Sequence, residues 1–370
     1  VRTALDVGPI GQLLEPYGTL SFEEAYNIYC EIMEAGASAG ADLIVIETMT
    51  DLYEVKAALL AAKEHTSLPV FVTMTFEANG RTFTGCTVEA MAAVLEGLGA
   101  DAVGMNCSLG PHELYPLAER LCAATALPVI VKANAGLPDP ATGEYHITPA
   151  EFADEMSRFA ALGVSYMGGC CGTTPAFITE LAKKVRPLTV PAREIVRKSI
   201  VCTPTNTVTI DGVRIIGERI NPTGKKRFQQ ALRENDLDYI LAQTVEQADA
   251  GAHILDVNVG LPGIDEPAMM VRVVKAIQSV TDLPLQLDSS DPAAIEAGLR
   301  VVNGKAIINS VNGEPEVLAR ILPLAKKYGA AVVGLAMDAN GIPPTAEARF
   351  AIAKRILHEA LKYGIPKEDV

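Results

Sequence analysis

Three cysteines are the residues best placed for chemistry. Cys107 sits in Gly104-Met105-Asn106-Cys107-Ser108, and Cys170 and Cys171 sit in Gly168-Gly169-Cys170-Cys171-Gly172. Thiolates are preferred ligands of Zn²⁺, which binds them at about 2.3 Å in tetrahedral geometry. Three protein ligands leave one position open, which marks a catalytic rather than a structural zinc. Adjacent cysteines point apart in an extended chain, but flanking glycines permit a tight turn that could bring both sulfurs to one metal. The open position suits a substrate thiol. A free thiol has a pKa of about 8.5 and only its thiolate attacks well. A coordinating zinc deprotonates it at neutral pH. Most free cysteines are simply small buried residues. Cys30, Cys86, Cys122 and Cys202 lack the glycine-flanked context and read as packing residues.

A second group holds carboxylates and carboxamides. Glu218 and Asn221 lie in Gly217-Glu218-Arg219-Ile220-Asn221-Pro222, Asp256 and Asn258 in Asp256-Val257-Asn258-Val259. Asp288 and Ser289 follow in Gln286-Leu287-Asp288-Ser289-Ser290, and Asn309 in Ile307-Ile308-Asn309-Ser310. They form no metal-like cluster. They suit a neutral heterocycle rich in hydrogen-bonding groups, because a carboxylate can pair with an N–C–NH₂ edge as it does with base edges. Any one of them alone would more simply be a turn or a helix cap, as Asp291-Pro292 is expected to be. Met337-Asp338-Ala339-Asn340-Gly341 reads as a turn.

Short apolar runs position these residues. Six of them, at 4–8, 43–47, 70–74, 102–107, 129–134 and 165–170, are five or six residues long and mostly rich in Val and Ile. That pattern is expected of parallel strands buried on both faces. Helical patterns at 54–64, 87–98 and 149–162 separate some of them. Repeated βα units imply a parallel sheet. Several runs end in a polar or thiol residue: Glu47, Cys107, Asn134 and Cys170. Strand C-termini converge on one face in a TIM barrel and build its active site, which favours a barrel over an open sheet. Glu47 is then either a substrate contact or an acidic strand end paired with a neighbouring base, and its place on the active face favours the first.

Prolines and alternating threonines at 186–213 break the rhythm and read as a linker with a short β-ribbon. A second series of runs follows at 213–218, 253–258, 284–289, 306–310 and 331–337, with helical patterns at 237–250, 266–280 and 345–363. The expected organisation is a first α/β barrel over 1–186, a linker over 187–212 and a second barrel over 213–370. A TIM (β/α)8 barrel needs eight strands. The first barrel is therefore expected to lack its first two βα units and the second its last three, the chain being a piece of a longer protein.

Composition narrows the function classes. Of 370 residues, 49% are apolar, enough for a sizeable core, and no apolar run approaches a membrane span. The formal charge of −14 argues against nucleic acid or an anionic membrane surface as partner. Seven cysteines in a long chain without a visible signal peptide fit a reducing, cytoplasmic setting with free or metal-bound thiols.

The motifs also carry a resemblance. Asp6-Val7-Gly8-Pro9-Ile10-Gly11, Ile46-Glu47-Thr48, the Cys107 and Cys170-Cys171 motifs and Asn134-Ala135-Gly136-Leu137-Pro138 together resemble the homocysteine S-methyltransferase family, from Thr3 to about Val185. The resemblance implies that the three cysteines bind zinc, that the homocysteine sulfur takes the fourth position and that Glu47 contacts the substrate amino group. The second group resembles the pterin-binding methyltransferases. It implies that Asp256 and Asp288 hold the pterin edge, that Asn309 lies near the reacting N5, and that Glu218, Asn221, Asn258 and Ser289 line the site. Together the halves are similar to the homocysteine and folate modules of the cobalamin-dependent methionine synthase family. The implied cycle moves a methyl group from 5-methyltetrahydrofolate by way of cobalamin to zinc-bound homocysteine. Neither half has an Asp-x-His-x-x-Gly corrinoid motif, so a cobalamin-binding domain or protein is expected as a partner. Other readings are a different methyl donor such as a sulfonium or betaine, a fusion to a methylenetetrahydrofolate reductase, and a non-catalytic binding fragment. The motifs around Asp288 and Asn309 argue against the fusion.

Overall fold

The computed structural model describes residues 2–139 and 141–370; Val1, where the sequence suggests the start of a strand, lies outside them. The chain divides into two units between Val196 and Arg197. In the first, β1 (Ala4–Val7), β2 (Leu43–Met49), β3 (Val70–Met74), β4 (Ala102–Asn106), β5 (Val129–Ala133) and β6 (Tyr166–Gly169) pair in sequence order. Every pairing is parallel. Helices Phe22–Ser38, Leu52–His65, Val88–Gly97, Pro111–Ala124, Pro149–Ser157 and Pro175–Val185 follow the successive strands. This is an α/β fold whose parallel sheet forms part of a βα barrel. All strand C-termini therefore share one face.

Local chemistry sets the helix ends. Ser21, Asp51, Thr87 and Thr148 cap N-termini through their side chains. Proline opens the helices that start at Pro111, Pro149 and Pro175, where its missing N–H costs nothing. The C-terminal end of Pro111–Ala124 is satisfied from a distance. Arg193 donates to the carbonyls of Cys122 and Thr125, at 3.1 Å each, and to that of Leu127. Its side chain fills the space above Gly163, where an added Cβ would lie 2.5 Å from it. The segment that leaves the last helix is thus fastened to the first unit.

The second unit repeats the architecture. β9 (Ile216–Ile220), β10 (Ile254–Val257), β11 (Leu285–Asp288), β12 (Ile307–Val311) and β13 (Ala331–Gly334) form a parallel sheet, again in sequence order. The six and five strands expected from the apolar runs are both present. The expected ribbon is there too, as antiparallel β7 (Ile200–Cys202) and β8 (Thr207–Thr209). It behaves as part of the second unit rather than as a linker. Cys202 and Lys305 exchange backbone hydrogen bonds of 3.1 and 2.8 Å. Val201 packs with Ile254, Ile307 and Ala331, which begin three of the strands, so the ribbon covers the N-terminal end of the sheet. Gly304, with φ 138°, is required there, because a Cβ would fall 2.0 Å from the Cys202 carbonyl oxygen. Lys305 and Asp369, both buried, form an ion pair of 2.7 and 2.8 Å across the same end. Among the described residues, no helix is long and apolar enough to cross a membrane.

Candidate active sites

The structure brings Cys107, Cys170 and Cys171 together: their sulfurs all lie within 4.8 Å of one another. β4 delivers Cys107 at its C-terminal end, and the chain turns at once, with Cys107 and Ser108 at φ 63° and 62°. Left-handed backbone at two successive non-glycine residues costs free energy and is held by surrounding contacts. Here Cys107 N–H donates to the Lys132 carbonyl (3.1 Å) and Leu109 N–H to the Cys107 carbonyl (2.7 Å). β6 delivers the other two. Cys170 N–H donates to the Ala133 carbonyl (2.7 Å), while Cys171 N–H leaves the ladder and donates to Asn134 Oδ1 (3.1 Å). Gly172, at φ 77°, completes the turn. An added Cβ on it would lie 2.5 Å from the Tyr145 ring. This turn solves the problem of adjacent cysteines.

Asn106 organises the floor of the cluster. It is buried. Its Oδ1 accepts from Thr73 Oγ1 (2.7 Å) and Thr48 N–H (2.9 Å), and its Nδ2 donates to Thr48 Oγ1 (2.8 Å). The same Nδ2 lies 3.8 Å from Cys170 Sγ. Thr48 is itself left-handed, at φ 61°, where the β2–β3 register shifts. In the sequence Asn106 stands only as a member of the Cys107 motif. An asparagine closing an otherwise apolar strand was the available signal.

The thiols are electrostatically unequal. Burial works against ionising Cys107, but the Ser108 backbone and the Cys171, Cys170 and Asn134 side chains hold its thiol below the ordinary value. Burial and the neighbouring Cys107 push Cys170 up to about 11. Cys107 as acceptor, with burial, also raises Cys171. Three sulfurs within 4.8 Å of one another form a donor set that suits a divalent, thiophilic cation.

Glu47 forms an ion pair with Lys132. β2 and β5 are separated in the sheet by β3 and β4, so the pair spans the concave inner face. Desolvation lowers the Lys132 pKa, against the opposing pull of Asp6 and Cys170. The base that the acidic strand-end alternative calls for is Lys132, which no local pattern in the sequence marks.

In the second unit, Glu218 and Asn309 lie mid-strand in β9 and β12, Asp256 and Asp288 lie within the last two residues of β10 and β11, and Asn221, Asn258 and Ser289 follow their strands. Asp256 is 1% exposed. Its Oδ1 accepts from Gln286 Nε2 (2.6 Å) and Asn309 Nδ2 (3.4 Å), while its buried Oδ2 has no partner among the described residues. Burial raises its pKa to about 6, with Asp288 and Glu218 adding to the effect. Burial also raises Asp288, which accepts from Asn258 Nδ2 at 2.9 Å. Asn221 Nδ2 donates to Glu218 Oε1 (3.3 Å), and Ser289 Oγ donates to Glu266. Gln286 and Glu266 are further members; Gln286 lies within the Asp288 motif and shares a strand face with Asp288, two residues away, whereas Glu266 carries no local signal. Asp291 caps a helix, accepting from Ala293 N–H (2.9 Å), and Asp338 and Gly341 close a turn, as their sequences suggest.

Two strand-end sites on tandem βα units, one of thiols and one of carboxylates and amides, define the class. The chain belongs to the homocysteine S-methyltransferase family, whose model matches residues 1–185; residues 217–370 match the pterin binding enzyme family. Over 98% of its length it is 34% identical to the methionine synthase of Mycobacterium tuberculosis and 33% identical to that of Mycobacterium leprae. It spans about a third, 32%, of each of those proteins. Half of the chain (50%) also resembles the crystal structure of the apo homocysteine methyltransferase MmuM from Escherichia coli, with 25% identity, 62% of that chain covered and a TM-score of 0.41.

Proposed function

We propose that this chain forms the homocysteine and folate portion of a cobalamin-dependent methionine synthase. The overall reaction moves the methyl group of 5-methyltetrahydrofolate, by way of cobalamin, to homocysteine, giving methionine and tetrahydrofolate. The observation that carries the reading is the clustering of three sulfurs from two strand ends on the face where βα barrels do their chemistry. In this reading Cys107, Cys170 and Cys171 hold zinc, which when bound makes a thiolate available at neutral pH. Asn106 and the Gly172 turn orient the sulfurs, and Glu47 takes the substrate's α-ammonium.

In the second unit, Asp256 and Asp288 hold the pterin edge. The unpartnered Asp256 Oδ2 supports this, because a buried acceptor with no donor is costly unless a ligand supplies one. Asn309 lies near N5, where a hydrogen bond would help an amine-like leaving group depart. Glu218, Asn221, Asn258 and Ser289 line the pocket. Cobalamin belongs to a domain or protein outside this chain, and the remaining strands of both barrels lie outside it as well. The identity to methionine synthases along nearly the whole chain supports that arrangement.

Metal analysis of the purified chain tests the reading. About one zinc per chain, lost in Cys107→Ala, is expected. Substoichiometric zinc that is unaffected by that substitution overturns it.

A further inference from the structure

We infer that Lys132 is a specificity-determining residue of the thiol site, taking the α-carboxylate of an amino-acid thiol while Glu47 takes its α-ammonium. The inference deepens the proposed function and rests on it.

Lys132 is placed between the two strands that carry the cysteines. Its backbone pairs with Asn106 on β4 and with Gly168 on β6. Gly168 leaves the side chain room to cross the inner face, since an added Cβ there would lie 3.3 Å from Lys132 Cγ. The ammonium ends at Glu47, within electrostatic reach of Asp6 and Cys170. Beside the sulfurs, then, stand two carboxylates and one ammonium.

The Glu47 and Lys132 side chains are each 22% exposed, so neither charge is fully hydrated. Paired, they satisfy each other while the site is empty. A thiol bearing only an amine would compete with Lys132 for Glu47 and leave the lysine without its ion-pair partner. A zwitterion avoids that cost, because its ammonium goes to the carboxylate and its carboxylate to the lysine, so one ion pair becomes two. Homocysteine has this form, with three bonds between its sulfur and the carbon that carries both charges. The pair therefore selects α-amino-acid thiols over simple thiols and aminothiols.

The test compares homocysteine with 3-aminopropane-1-thiol, which is homocysteine without its carboxylate. Binding of each to the zinc-loaded full chain is measured by titration calorimetry. Lys132→Met should weaken homocysteine binding roughly tenfold, equivalent to about 1.4 kcal/mol. It should leave the aminothiol bound as tightly as before or more tightly. The aminothiol also reports that the variant is folded and holds its metal. Equal weakening of both ligands, or of neither, overturns the role of Lys132. If neither thiol binds the unsubstituted zinc-loaded chain, the thiol-site reading fails first and the inference fails with it.

Discussion

The Cys107 and Cys171 sulfurs lie 3.5 Å apart although 64 residues separate them in the chain. Zinc–sulfur bonds of about 2.3 Å in a tetrahedron place sulfurs roughly 3.8 Å apart. The fold holds these ligands close to the spacing that one metal ion requires. Replacing Cys107 by alanine or serine should take zinc from about one per chain to near zero. Chelator treatment of the unsubstituted chain should reproduce the loss, and plasma emission spectrometry would measure both.

Asn106 joins three strand ends through one carboxamide, bonded to Thr48 and Thr73 and facing Cys170. Asn106→Ala removes these bonds and leaves the buried Thr73 hydroxyl and the half-buried Thr48 N–H and hydroxyl without their partner. It should destabilise the first unit by roughly 2–3 kcal/mol. Zinc affinity should fall as well, because the Cys170 strand end loses its brace. Urea unfolding followed by circular dichroism checks the first effect and competition with a metal indicator the second.

Asp256 bears on the stability of the second unit through its burial. Its pKa rises from the ordinary 3.8 to about 6, chiefly because of burial. A raised carboxyl contributes stability that is fully present below the unfolded value and is lost as pH rises through the folded one. The second unit should therefore lose stability between about pH 4 and pH 6 through this group. Asp256→Asn should flatten that dependence, stabilise the unit at neutral pH and abolish folate binding. Melting curves across the pH range and equilibrium dialysis with methyltetrahydrofolate would show whether these effects occur together.

Arg193 fastens a helix end in the first unit. Its bonds to the carbonyls of Cys122, Thr125 and Leu127 complete the end of the helix that follows the Cys107 turn. Arg193→Ala should cost about 1–2 kcal/mol and loosen the segment around residue 193. Hydrogen exchange should show faster opening there with zinc content unchanged. Loss of zinc in this variant would mean that the fastening reaches the metal site.

Much was legible in the sequence because its signals are local. Runs of Val and Ile bounded by glycine and helical patterns place all eleven sheet strands, since burial on both faces leaves a continuous apolar imprint. The Gly-Gly-Cys-Cys-Gly turn is equally local: Gly172 supplies its left-handed residue at φ 77°, so Cys170 and Cys171 stand out in the sequence. The ribbon was visible as alternating threonines, but its attachment was not. Cys202 meets Lys305 more than a hundred residues away, and no local pattern encodes that pairing.

Pairing across the sheet was decided only by the tertiary structure. Lys132 meets Glu47 because β2 and β5 curve toward each other, and Asn106 becomes a hub because three strand ends converge on it. Burial of Asp256 depends in the same way on neighbours from other strands. Sequence by itself determined the elements and the three thiols. Which charges those thiols stand beside was determined by the fold, because Coulomb and hydrogen-bond energies depend on separation in space rather than along the chain.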